Sequence, residues 1–84
     1  MNVSFSSSAL EAFQEWARSD PKIFERINAL IKDVGRTPFT GLGKPEPLRH
    51  SLAGYWSRRI TDEHRPVHKV KDNSIFIASC KYHY

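Results

Sequence analysis

Eighty-four residues make one domain, and a chain this short buries only about 60–65% of its unfolded surface. With 39% hydrophobic and 26% charged residues it has the composition of a soluble globular protein, and its one cysteine, Cys80, excludes an internal disulfide scaffold. The formal charge of +4 is uneven: residues 1–43 hold five Lys/Arg and five Asp/Glu, whereas residues 44–84 hold eight and four. All four histidines (His50, His64, His68 and His83) also fall in the second half. A neutral front and a basic, titratable back suggest a polyanionic partner, without saying which. The start, Met1 to Phe5, lacks the basic region and apolar run of a signal peptide, and no segment is apolar enough to span a bilayer. The expectation is a cytoplasmic protein with no membrane contact.

The predicted elements begin with a short strand ending at Val3-Ser4-Phe5. Ser6, Ser7 and Ser8 offer N-caps, and Ser8 to Glu11 fits a capping box. Leu10, Phe13 and Ala17 recur at helical spacing, widened by Ala9, Ala12 and Trp16, so a first helix should reach about Arg18. Asp20-Pro21 is a second helix start. Ile23, Ile27, Leu30 and Val34 form its apolar stripe, and Gly35 is the expected stop. So short a gap predicts an antiparallel helical hairpin.

Arg36 to Pro47 reads as the longest irregular stretch. Tyr55–Ile60, Arg65–Val70 and Ile75–Tyr82 then read as strands joined by short turns, which make antiparallel neighbours. The fold class is therefore α+β, in the order β-α-α-β-β-β, with the hairpin on one face of a mostly antiparallel sheet. Pro66 removes a ladder donor and belongs at an edge or a ladder-free position. Cys80 reads as core. Alternation places Arg65 with Val67 and Lys69 on one face, and His83 with Lys81 and Ser79.

The stretch from Gly41 to Arg65 carries the chemistry. One acid, Glu46, is caught between Pro45 and Pro47 with Lys44, Arg49, Arg58, Arg59 and Arg65 around it. A following proline biases both Lys44 and Glu46 towards extended backbone. The bland reading of Glu46 is a surface ion pair with an arginine. The sharper reading is a general base aimed at a ribose 2′-hydroxyl, since carboxylates are ionised at neutral pH. Arg65 and Arg59 would hold the phosphate bidentately. His83 titrates in the range needed to protonate the leaving 5′-oxygen. The ring of Tyr84 or Tyr55 would hold an unstacked base. Lys44 and Lys81 would contribute salt-dependent phosphate contacts. No metal and no cofactor is required. His64 and His68 are four apart, but Pro66 between them excludes the helix that would make them a zinc pair. A lone Glu or His in a small protein is usually structural, so spacing alone gives an RNA-binding α+β domain, with a nuclease as one option.

Four motifs carry a family resemblance: Gly43-Lys44-Pro45-Glu46-Pro47-Leu48, Gly54-Tyr55-Trp56-Ser57-Arg58-Arg59-Ile60, Glu63-His64-Arg65 and Lys81-Tyr82-His83-Tyr84. With Ile27 to Asp33 and Arg36 to Phe39 they resemble the YoeB toxins of the RelE superfamily over nearly the whole chain. The resemblance implies a mRNA interferase that acts on the 70S ribosome and cuts codons in the A site. It implies a YefM-type antitoxin that neutralises the toxin and, in complex with it, binds operator DNA. It assigns Glu46 as general base, His83 as general acid, Arg65 as transition-state stabiliser and Tyr84 as the residue that positions the nucleotide. Arg49 stands where such toxins carry a basic residue, Arg59 is a phosphate contact, and a homodimer is implied. Pro66 and His68 depart from the pattern. Two rival readings are a ParE-like toxin that targets a protein and needs no such residue set, and an RNA-binding module without activity.

Overall fold

The computed structural model describes residues 1–81; the expected strand end at Tyr82, and His83 and Tyr84, lie outside them. The chain forms β1 (Asn2–Phe5), α1 (Ser7–Ser19), α2 (Pro21–Arg36), β2 (Glu46–Pro47), β3 (Trp56–Ser57), β4 (Val67–Lys71) and β5 (Ser74–Ser79). A 3-10 turn covers His50–Leu52. The strands lie in the order β1-β5-β4-β3-β2. β1 runs parallel to β5, and every other neighbouring pair is antiparallel. The α+β class and the hairpin on a mostly antiparallel sheet are therefore as expected. The added element is β2, inside the stretch that read as irregular.

Local rules set most boundaries, with several corrections. Ser6 caps α1, its Oγ accepting from Ala9 N at 3.1 Å. Ser8 is not the cap, because the Ser6 hydroxyl also donates to Ala78 O at 2.8 Å and so ties the helix start to β5. The buried face of α1 is Ala9 and Ala12 with half-buried Phe13 and Trp16, whereas Leu10 and Ala17 are exposed. Two alanines let the helix lie close to β5. α2 begins as expected, with Asp20 accepting from Ile23 N and Pro21 in the first turn. It does not stop at Gly35: helical backbone continues to Arg36, and Thr37 N–H closes it on Asp33 O at 2.7 Å.

Ile27, Leu30 and Val34 of α2 meet Ile75, Ile77 and Cys80 on the helix side of the sheet. Phe13 joins the layers, 5.1 Å from Phe5 and 4.8 Å from Phe24 between ring centroids. The expected strands are shorter than their apolar runs. β3 ends at Ser57 because Arg58 turns inward, while its N–H still reaches Pro66 O at 3.2 Å. Pro66 precedes β4, where no ladder donor is needed. Arg65 likewise lies before β4, not within it. Val67 and Lys69 do share a face, turned away from the helices, while His68 and Val70 point towards them. No described helix is long and apolar enough to cross a membrane.

Candidate active site and nucleic-acid surface

Two buried devices shape the loop that delivers Glu46. Asp33, near the end of α2, is an acid on an apolar helix face. Its carboxylate accepts from Arg58 Nη1 at 2.6 Å and from Leu42 N at 2.8 Å. Arg58 is fully buried and also donates to the carbonyls of Thr37 at 2.6 Å, Thr40 at 2.9 Å and Leu42 at 3.2 Å. One guanidinium thus pins three carbonyls of the loop. The Leu42 N–H and the Arg58 guanidinium together hold the Asp33 carboxyl below the usual carboxylate range, against the cost of burial.

The second device is Gly43. Its carbonyl accepts from Arg59 N at 2.6 Å, and its φ of 77° lies in the left-handed region. A Cβ there would sit 2.8 Å from Leu30 Cδ2 and 2.9 Å from Arg59 O, so only glycine fits. Lys44 follows with φ of 50°, not the extended backbone its position before Pro45 predicts. The loop must reverse there to bring Glu46 alongside β3, and that tertiary demand overrides the local preference. Glu46 itself is extended, opposite Ser57.

These constraints place Glu46 beside Arg65. Glu46 Oε2 lies 3.2 Å from Arg65 Nη2. The glutamate side chain is 63% exposed and the arginine 25% exposed. Arg65 Nη2 also reaches Lys44 O at 3.5 Å, while its buried Nε has no hydrogen-bond partner. The bland ion pair and the proposed catalytic pair are thus the same contact. Ser57 and Val67, both buried, continue the ladder row from Glu46 across β3 and β4.

The other candidate residues are less closely gathered. Arg59 is partly exposed and ion-paired to Asp62. Lys44 and Arg49 are exposed, with Arg49 at the start of the 3-10 turn. Tyr55 lies two residues before Ser57, its ring 5.1 Å from Lys69 Nζ. Lys81 is drawn to α1, 3.8 Å from Glu15 and 5.6 Å from the centre of the Trp16 ring, and touches neither Glu46 nor Arg65. Trp16 also donates Nε1–H to Cys80 O at 3.0 Å, so α1 grips the chain immediately before the proposed terminal residues. Burial pushes the Cys80 thiol up to about 12, which leaves it inert as a nucleophile. The Asp33–Arg58 hub escaped the sequence reading, although an acid three residues after Leu30 on an apolar stripe demands a buried cation.

Two helices lie on one face of a mixed five-stranded sheet in a small α+β domain, and Glu46 on the short edge strand pairs with Arg65 just before β4. The family described as "YoeB-like toxin of bacterial type II toxin-antitoxin system" matches residues 5–84. Toxin YoeB of Escherichia coli is 52% identical over 84 residues, covering 100% of both chains. Two structures from Staphylococcus aureus, described as a YoeB dimer and as a heterotetrameric YoeB-YefM complex, superpose with TM-scores of 0.95 and 0.94. Each is 48% identical and covers 100% of this chain and 98% of the other. The chain therefore belongs to the YoeB-like toxins of bacterial type II toxin–antitoxin systems.

Proposed function

We propose that this toxin is a ribosome-dependent, metal-independent mRNA endoribonuclease. The observation that carries the reading is the 3.2 Å approach of Glu46 to Arg65 on an accessible edge of the sheet. Glu46 takes the proton from a ribose 2′-hydroxyl, and O2′ attacks the adjacent phosphorus. Arg65, a quarter of whose side chain is exposed, stabilises the pentacoordinate phosphate through its guanidinium. The bond from phosphorus to O5′ then breaks, and an acid protonates the leaving oxygen. The products are a 2′,3′-cyclic phosphate and a free 5′-hydroxyl. By the family resemblance His83 is that acid and Tyr84 positions the nucleotide. Lys44, Arg49, Arg59, Tyr55 and Lys81 supply RNA contacts. No step requires a metal, because the nucleophile belongs to the substrate.

The partners follow from the same family. A YefM-type antitoxin neutralises the toxin, and the complex of the two binds operator DNA. The toxin acts in the cytoplasm, where its substrate is, and forms a homodimer like the Staphylococcus relative. The test uses programmed ribosomes with a defined A-site codon and reads mRNA ends. The wild type should cut the message. Glu46→Ala should slow single-turnover cleavage by roughly 10²–10⁴-fold while retaining ribosome affinity. A 2′-deoxy nucleotide just 5′ of the cut should block the reaction. Normal cleavage of that substrate would sink the mechanism, and normal cleavage by Glu46→Ala would leave Glu46 an ion-pair partner only.

A further inference from the structure

We infer that Lys69, held between the rings of Tyr55 and Phe76, contacts the mRNA phosphate next to the one being cut. The inference rests on the RNA-cleaving reading above. Lys69 Nζ lies 5.1 Å from the centre of the Tyr55 ring and 5.8 Å from that of Phe76. Lys69 faces Phe76 across the β4–β5 ladder, and all three side chains are half-buried.

The position is set by strand alternation. Ile75 and Ile77 belong to the core under the helices, so Phe76 points to the other face. Val70 packs against the core, so its neighbour Lys69 shares that other face with Phe76. Glu46 opposes Ser57, and Ser57 opposes Val67. Lys69 is two residues along from Val67, and Tyr55 two residues along from Ser57. Two residues of extended strand span about 7 Å. The clip is therefore displaced along the strands from the Glu46 row by about the reach of one unstacked nucleotide, on the same face.

Charge and order support a ligand contact. Asp62 answers Arg59 and Glu15 answers Lys81, but no described carboxylate pairs with Lys69. A lysine ammonium normally swings on a flexible stem. Two aromatic faces restrain this one through their quadrupoles without neutralising it. A restrained, uncompensated cation loses less freedom when it meets a phosphate.

The experiment replaces one mRNA phosphate at a time, on either side of the cut, by a neutral methylphosphonate. On programmed ribosomes the wild type should lose about tenfold in kcat/KM at one of the two positions. Lys69→Met should show the same loss with the natural message and no further loss with the methylphosphonate. Tyr55→Leu and Phe76→Leu should fall between, and should add nothing to Lys69→Met. A Lys69→Met enzyme as sensitive to the methylphosphonates as the wild type overturns the proposal. So does a wild type indifferent at both positions, including the case where Lys69→Met weakens only ribosome binding. If the wild type cuts no message at all, the cleavage reading fails separately. Fluorescence anisotropy on a short single-stranded RNA then decides: one lost phosphate contact lowers the salt slope by about 0.7 in Lys69→Met, and an unchanged slope overturns the contact.

Discussion

His68 should make this fold acid-sensitive well above the range in which carboxylates protonate. Its ring is 2% exposed, it opposes Trp56 and Ile77 in the sheet, and its Nε2 has no hydrogen-bond partner. Burial, with the Arg58 charge acting in the same direction, lowers its pKa from 6.5 to about 4. Between those values the unfolded chain binds the proton and the folded chain does not, so stability rises with pH. The contribution is complete above pH 6.5 and is lost as pH falls through about 4. The full gap corresponds to about 3 kcal/mol, of which about 2 kcal/mol is gone by pH 5 relative to pH 7.5. A domain of this size has a total stability on the order of 5–15 kcal/mol, so the loss is measurable. Urea unfolding of the wild type and His68→Leu at both pH values isolates the term. The wild type should lose about 2 kcal/mol more than the variant on acidification. Equal losses would refute the argument that a buried neutral imidazole sets the pH dependence.

Other predictions follow from the same contacts. Arg58→Met should cost about 3–5 kcal/mol in urea unfolding, because it leaves Asp33 buried without its cation; a cost below about 1 kcal/mol would contradict the hub. Cys80 should resist a thiol-specific disulfide reagent in the native state and react once urea unfolds the chain, whereas native reaction within seconds would contradict its burial. Deleting His83 and Tyr84 should abolish mRNA cleavage yet leave native circular dichroism and antitoxin binding, and full cleavage by the truncated chain would remove both residues from the mechanism.

Much of the architecture was legible because local and tertiary preferences agree. Asp20-Pro21 starts a helix by capping chemistry alone, and Ile27, Leu30 and Val34 bury the face their spacing names. The failures share one cause. Gly35 favours a stop, yet Asp33 holds Thr37 and Leu42 and carries the helix one residue further. Lys44 favours extended backbone, yet the loop must reverse for Gly43 to meet Arg59. Arg58 looked like one more cation of a basic surface, although it is fully buried. Each outcome depends on a partner distant in sequence, which periodicity cannot reveal. For the site, residue types and motifs named Glu46 and Arg65, but only the fold showed them in contact. The roles assigned to His83 and Tyr84 rest on the resemblance.

The Glu46–Arg65 pair contributes little to the stability of the fold. With Glu46 63% exposed, solvent screens the attraction, and such pairs contribute about 0–1 kcal/mol. Against that stands a buried Arg65 Nε with no partner, a group whose desolvation alone costs about 1–3 kcal/mol. As a stabilising device the arrangement is poor: a fully exposed arginine would make the same ion pair without an orphaned donor. The stabilising work is done elsewhere, by Arg58 on Asp33, where the pair is buried and makes five contacts, although the Arg58 Nε is likewise buried without a partner. An accessible carboxylate beside a part-exposed guanidinium, in a pair that adds little stability, leaves both groups able to meet an incoming substrate. Glu46→Ala should therefore leave urea stability within about 1 kcal/mol of wild type while removing most cleavage. A variant that instead lost several kcal/mol and kept its rate would show the pair to be structural after all.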